Sequence, residues 1–269
     1  MTTRLISNHR GFTLIELIVV IVIAGILAAM GGMLIVKPVT GYVDLARRTR
    51  LVDQAEMALR RMQRDIRHAL PNSIRIDVSG QYLEVLNTVG GGRYRRYPDP
   101  GGGSDILNFG LDDTRFDVLG SLSQPPVTGD QLVIYNVAPA GASSNAYAAT
   151  ADNRAAIAAG SDQNSIVLSP GFQFAHISPQ QRFFIVDQPV SYACEGGALN
   201  RYDGYAISAV QPTATLSNPD LVTDGVSSCL FSYDPGASQR AGLVTLQLSL
   251  SEAGETITLL HQIHVVNVP

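Results

Sequence analysis

Lysine is almost missing from this sequence: Lys37 is the only one in 269 residues, and Pro38 follows it. A phosphate-binding loop of the G-x-x-x-x-G-K-[ST] type needs its Lys before Ser or Thr, so that ATPase motif is excluded. Cysteine is nearly as scarce. Cys194 and Cys229 form no C-x-x-C pair and have no Cys or His beside them at zinc spacing. There is no G-x-S-x-G, no H-E-x-x-H and no dinucleotide glycine fingerprint. His261 and His264 fall on what reads as a strand, where a period of two sends them to opposite faces and makes chelation by the pair poor. The motifs therefore call for no metal, no cofactor and no enzyme, although a triad assembled from distant residues would escape a motif reading.

Charge is sparse at 16%, while 45% of the residues are hydrophobic, a balance that excludes a disordered chain. The apolar residues are unevenly spread. Residues 17–36 contain no polar side chain, and as a helix such a run rises about 30 Å, the thickness of a bilayer core. The net charge of −4 hides an asymmetry: residues 37–75 carry nine Lys or Arg against four Asp or Glu, and residues 76–269 carry eight against eighteen. An acidic carboxyl-terminal part disfavours nucleic acid as a partner through any broad positive field.

A disulfide is the leading reading of the two cysteines, with two buried free thiols as the other. If formed, it closes a 36-residue loop and restricts the unfolded chain by about 4 kcal/mol on the chain-entropy account. It also requires an oxidising compartment.

The chain opens with MTTRLISNHRG, then Phe12-Thr13-Leu14-Ile15-Glu16 and the apolar run. An ordinary secretory signal has a shorter apolar region, no carboxylate and a small-residue cleavage site, so removal of the whole run is not expected. A plain membrane anchor remains, with Glu16 near the headgroups, where a carboxylate costs less than at mid-membrane. The stretch Arg10-Gly11-Phe12-Thr13-Leu14-Ile15-Glu16-Leu17 resembles the class III signal of type IV pilins and the pseudopilins of type II secretion. The resemblance implies cleavage by a prepilin peptidase between Gly11 and Phe12 and N-methylation of Phe12. It also implies an assembly role for Glu16, four residues after the new terminus, paired with a neighbouring subunit's terminal amine; in an apolar filament core such a partner offsets the desolvation of a carboxylate.

The positive-inside count opposes this orientation, since Arg4 and Arg10 precede the run while Lys37, Arg47, Arg48 and Arg50 follow it. The cysteine pair and the leader resemblance agree on an outside carboxyl-terminal domain and override it.

Residues 42–70 read as a second helical stretch, with Leu45, Val52, Ala55, Leu59, Met62, Ile66 and Ala69 forming one apolar stripe. Pro38 and Gly41 mark a weak point or kink before it, and Pro71 and Asn72 a stop. The stripe is expected to pack on the downstream sheet and leave Arg47, Arg48, Arg60, Arg61, Arg64 and Arg67 solvated. Asp44, Asp53, Glu56 and Asp65 stand at distances that suit helical ion pairs, which weakens the alternative of a nucleic-acid helix.

Beyond residue 73 the sequence turns to short alternating or β-branched segments at 73–78, 82–86, 132–137, 165–168 and 183–186. Residues 243–250 and 256–266 read as a hairpin turning at Glu252 to Glu255. The predicted fold is α+β: a long amino-terminal helix, membrane-embedded in its first half and amphipathic in its second, packed on an antiparallel β-sheet domain. The expected divisions are a leader at 1–11, a transmembrane or filament-core helix at 12–36, an amphipathic helix at 37–72 and a periplasmic β-rich domain at 73–269.

Residues 89–104 and 138–160 read as surface loops. Within the first, Arg93, Tyr94, Arg95, Arg96 and Tyr97 form the best local ligand candidate, able to stack on bases or sugars and hold an anion. Asp99, Gly101 to Gly103 and Asp105 faintly suggest a calcium turn but fall short of the six to eight oxygens required.

The resemblance extends further. Gly41-Tyr42-Val43-Asp44, Ala58-Leu59-Arg60-Arg61-Met62, Ala69-Leu70-Pro71-Asn72-Ser73, Arg201-Tyr202-Asp203-Gly204-Tyr205, Phe231-Ser232-Tyr233-Asp234-Pro235-Gly236 and the ending Leu260 to Val268 are similar to the O-type minor pilins of MSHA-pilus biogenesis. Unlike many major pilins, residues 17–36 hold no proline; Gly25, Gly31 and Gly32 are the soft points instead. The resemblance implies a minor pilin at or near the tip of a type IV pilus, helping assembly to start. Its partners are other major and minor pilins, a prepilin peptidase, the inner-membrane assembly platform and membrane lipid. The alternatives are a J-type minor pseudopilin of type II secretion and a tip adhesin or DNA-capture module that uses the Arg93 to Tyr97 loop.

Overall fold

The computed structural model describes residues 11–236 and 241–269, and the side chains of the long helix except those of residues 32–38. The leader's Arg4 and Arg10 lie outside the described residues, as do the side chains of Lys37 and Pro38 and the surroundings of Gly32. The chain divides into two compact units, residues 1–50 and residues 51–269.

One helix, α1 (Leu14–Arg67), opens the fold. Its helical backbone continues through residues 38 and 41, where the sequence marks a weak point. Glu16 stands in the first turn and Arg64 and Arg67 in the last, each complementing the helix dipole. In the first unit, Leu45 is exposed rather than part of a packed stripe. In the second, burial begins at Leu51 and continues through Ala55, Ala58, Leu59, Met62 and Ile66, with Val52 at the margin. The packed face thus includes Leu51 and Ala58, which the spacing of the stripe leaves out.

The helix stops at Arg67, three residues before the predicted end. Pro71 disfavours a helical Leu70, and the chain instead pairs with the strand that follows: Leu70 N donates to Leu86 O at 2.8 Å and Thr88 N to His68 O at 3.0 Å. Asn72 then turns with a φ of 58°.

Among the described residues twelve strands follow: β1 (Arg75–Ile76), β2 (Tyr82–Arg93), β3 (Asp113–Asp117), β4 (Gln131–Val133), β5 (Arg154–Ala156), β6 (Ser165–Phe172), β7 (Arg182–Glu195), β8 (Ala198–Tyr202), β9 (Asp220–Thr223), β10 (Val226–Asp234), β11 (Gly242–Glu252) and β12 (Glu255–Val265). The largest sheet runs β1-β2-β7-β4-β5, with β8 beside β7 and β9 beside β8; β10-β11-β12 form a second sheet and β3-β6 a third. Every pairing is antiparallel. The architecture is the α+β plan expected: a long amino-terminal helix, apolar at its start, whose later turns pack in a core shared with antiparallel sheets.

Two predicted surface loops are corrected. Residues 89–93 belong to β2, because Gly90 to Gly92 serve close packing rather than a turn: a Cβ on Gly92 would meet the Phe183 ring at 2.9 Å. Residues 138–160 contain β5, and Ser144, Asn145, Ala146, Tyr147 and Asn153 are buried. Tyr147 reaches back to donate to Ser73 O at 2.9 Å and takes the Arg75 guanidinium over its ring at 3.7 Å.

The main core joins Leu51 to Ile66 of α1 to the inner faces of β2, β7, β11 and β12. A separate aromatic core built on Tyr94, Phe116, Phe174 and Phe183 lies under β3 and β6. Cys194 of β7 and Cys229 of β10 are disulfide-bonded with Cα atoms 6.3 Å apart, which ties the largest sheet to the β10-β11-β12 sheet.

Candidate functional site

The apolar run and its junction form the most unusual surface of the molecule. Thr13 caps the helix: its Oγ1 accepts the Glu16 N–H at 3.3 Å, and its carbonyl accepts the Leu17 N–H at 3.2 Å. This is the side-chain-to-N3 half of a Thr-x-x-Glu capping box, so the sequence sets the helix start directly after Phe12. Gly11 precedes the helix, and Phe12 is 79% exposed. From Leu14 to Gly31 the helix is long and apolar enough to cross a membrane, and Leu14 to Met30 is exposed on every face. A helix apolar all round must be covered by lipid or by other apolar helices. Glu16 is the only charged side chain from Gly11 to Val36. Among the described residues no cation pairs with it.

The Arg93 to Tyr97 cluster does not form one binding surface. Tyr94 is wholly buried, its hydroxyl donating to Ser178 O at 3.4 Å and accepting from Ser178 N at 3.1 Å, and burial pushes its pKa up to about 12. Arg93 donates to Gln180 O at 3.0 Å. Arg95 is held by Asp99, with Asp117 3.8 Å away. Arg96 over the ring of Tyr97 is the remaining exposed pair. Sequence reading missed the alternation along the end of β2 that turns Tyr94 inward.

The calcium candidate also comes apart. Asp99 is taken by Arg95, while Asp105 lies by Asp113 and Asp117; burial and those two carboxylates raise the Asp105 pKa. Among the described residues no group of three or more His, Cys, Asp or Glu is arranged to hold a metal.

Ser143, Asp152 and His176 do meet. Ser143 Oγ lies 2.6 Å from Asp152 Oδ2 and 3.2 Å from His176 Nε2. The order is wrong for nucleophilic catalysis, because the carboxylate takes the serine proton itself instead of orienting the imidazole. Asp152 also accepts the Ser144 N–H at 2.7 Å, the bond of a loop clasp.

A cleft of about 570 Å³ lies where α1 ends, floored by Ile66, Leu70 and Phe184 and rimmed by Arg67, Arg182 and His264. No acidic residue lines it, which sets it apart from the acidic domain around it. No motif gathers these residues; the topology does.

A family model described as the prokaryotic N-terminal methylation motif matches residues 6–32. No curated protein and no solved structure matches the chain. The chain therefore carries a prepilin-like N-terminal methylation motif of the kind found across the type IV pilin and pseudopilin superfamily, on a fold of pilin-like architecture.

Proposed function

We propose that this chain is a minor pilin of a type IV pilus of the MSHA kind, made in the inner membrane with its carboxyl-terminal domain in the periplasm and placed at or near the pilus tip to help assembly begin. The observation that carries this reading is the junction itself: a methylation motif, a capped helix start directly after Phe12, and an all-round apolar helix bearing one carboxylate.

A prepilin peptidase cuts between Gly11 and Phe12, and Phe12 becomes the methylated terminus. Glycine at the cut leaves the scissile carbonyl unhindered by a side chain. The new ammonium of one subunit then pairs with Glu16 of its neighbour, and because an unpaired carboxylate in an apolar bundle is costly, that pair fixes the stagger between subunits. Other pilins and the inner-membrane platform cover the apolar helix after lipid has done so. The large head suits an end of the filament, where it need not repeat.

The test is the intact mass and amino-terminal sequence of the membrane-extracted protein coexpressed with a prepilin peptidase. Methylated Phe12 as the terminus, lost when Gly11 is replaced, supports the reading. Retention of Met1, or normal processing of the Gly11 variant, overturns it. Deletion that abolishes pili supports the pilus assignment, whereas lost secretion with intact pili moves the chain to a type II pseudopilus.

A further inference from the structure

The β11-β12 hairpin leaves one strand edge open. Among the described residues β12 pairs only with β11, through eleven consecutive pairs from Glu252↔Glu255 to Gly242↔Val265 without a bulge. The two-residue turn places Ala253 at φ 48° and Gly254 at φ 84°, the primed geometry whose flanking residues exchange both hydrogen bonds. Hydrogen-bonded and open pairs then alternate along the ladder. Odd-numbered residues of β12 bond to β11, while Thr256, Thr258, Leu260, Gln262 and His264 aim N–H and C=O away from it. The same parity governs the neighbouring strand, where Ser251 N turns away from β12 to donate to Gly225 O at 2.8 Å. Among the described residues none of the five outward N–H groups finds a backbone acceptor.

Natural edges of this length are blunted by Lys, Pro, bulges or inward charges. β12, with the sequence ETITLLHQIHV, has none of these; its one full charge, Glu255, stands at the turn. Along the other side of the sheet β10 is covered, since Val226 N donates to Gly197 O at 2.9 Å and Phe231 N to Gly80 O at 2.7 Å. Among the described residues one edge is closed and the other carries none of these protections.

We infer that the β12 edge is a self-pairing surface that takes β12 of a second copy of this chain, antiparallel about a two-fold axis at Leu260. Leu260 is the central residue of the eleven, so this register overlaps the whole strand. It sets Leu260, 61% exposed, against its own copy on the outer face. It sets Thr258 against Gln262 on that face, and Ile257 against Ile263 on the core face. All five outward N–H groups of each copy gain an acceptor, an isologous contact of the strand-addition kind. An axis between two residues would face even positions to odd ones and leave the outward groups unmatched. Among the centres that keep even against even, Leu260 alone overlaps all eleven residues, and that fixes the register.

Cysteine cross-linking of the full chain in membranes, with Cys194 and Cys229 retained, tests this. A Leu260→Cys chain is expected to oxidise to a dimer of twice the monomer mass, since facing Cα atoms in such a pair stand about 5.5 Å apart, within disulfide reach. Leu230→Cys on β10, also exposed, is expected to stay monomeric. Thr258→Cys and Gln262→Cys chains are expected to cross-link to each other when coexpressed and neither to itself. Adding Leu260→Pro to the coexpressed pair removes an outward N–H without touching the β11 ladder and is expected to abolish the cross-link. Gln262→Lys, a solvated edge charge that leaves the fold undisturbed, added to the Leu260→Cys chain is expected to weaken its dimer at least several-fold. Monomer only from Leu260→Cys, cross-linking of Thr258→Cys to itself, or an adduct with a protein of different mass overturns the inference, whatever the outcome at Gly11 and Phe12.

Discussion

Arg201 Nε donates to Asp65 Oδ2 at 2.9 Å, joining the last turns of α1 to β8 across 136 residues of sequence. The same oxygen accepts the Tyr192 hydroxyl at 2.8 Å, and Arg201 also holds Asp203. Asp65 is thus no helical ion-pair residue, as its spacing from Arg61 suggests, but the polar pin between helix and sheet. Burial, with the Asp65 carboxylate beside it, raises the Tyr192 pKa well above the usual phenol value.

Replacing Asp65 by Ala therefore removes two charge-assisted hydrogen bonds from a largely shielded site and is expected to destabilise the domain by about 2–3 kcal/mol. Chemical denaturation of the single and double Asp65 and Arg201 variants measures the coupling. Additive losses would show that the pair does not act as a unit.

Asp77 organises the turn between β1 and β2. Its carboxylate accepts the N–H groups of Ser79 at 2.9 Å, Gln81 at 3.0 Å and Tyr82 at 2.9 Å. Burial alone would raise its pKa, but the hydrogen bonds from Ser79, Tyr82 and Gln81 together outweigh it and hold the carboxyl below the usual aspartate range. A depressed folded pKa gives stability that is present above the unfolded value and lost as pH falls through the folded one. The stability gap between the native chain and Asp77→Asn is expected to be constant from pH 7 to about 5 and to close below about 4. A gap that widens on acidification would reverse the assignment.

At Gly92 the issue is space. A methyl group there meets Phe183 ring carbons at 2.9 and 3.1 Å and Leu122 Cδ2 at 3.2 Å. Gly92→Ala is expected to cost about 1–3 kcal/mol through overpacking of the aromatic core, read as a lower midpoint of denaturation. Gly101→Ala, with nothing within 4 Å, is the matched control.

The disulfide links two sheets that also share the main core. Replacing both cysteines by Ser is expected to destabilise the domain by about 4 kcal/mol. Pulse proteolysis of native and variant chains, reduced and oxidised, measures it; reduction of the native chain should reproduce the variant.

Legibility followed the range of the interactions. The helix, its buried stripe at Ala55, Leu59, Met62 and Ile66, and the final hairpin are set by neighbours a few residues apart, and all stand plainly in the sequence. Gly90 to Gly92 misled because glycine serves turns and close approach alike, and only Phe183, ninety residues on, decides between them. Tyr94 misled for the same reason: two arginines beside it suggest a wet loop, while Ser178 and Phe109 bury it. Asp65 looked local because Arg201 is invisible to helical spacing.

Glu16 carries the last prediction, and its chemistry separates two roles. The cap at Thr13 uses the backbone N–H of residue 16, so Glu16→Gln keeps it and leaves the helix start intact. Cleavage at Gly11 and methylation of Phe12 are expected to proceed normally in that variant. What changes is the charge: a neutral amide cannot balance a neighbouring terminal ammonium in an apolar bundle, and the loss of even about 1.4 kcal/mol lowers occupancy tenfold. Incorporation of Glu16→Gln into filaments, measured by immunoblot of sheared pili against membrane-held protein, is expected to fall at least about tenfold while the variant is still cleaved and methylated at Phe12 as the native chain is. Equal incorporation of the two would show that the carboxylate serves only the dipole of its own helix, where a charge near the first turn is worth about 0.3–1 kcal/mol.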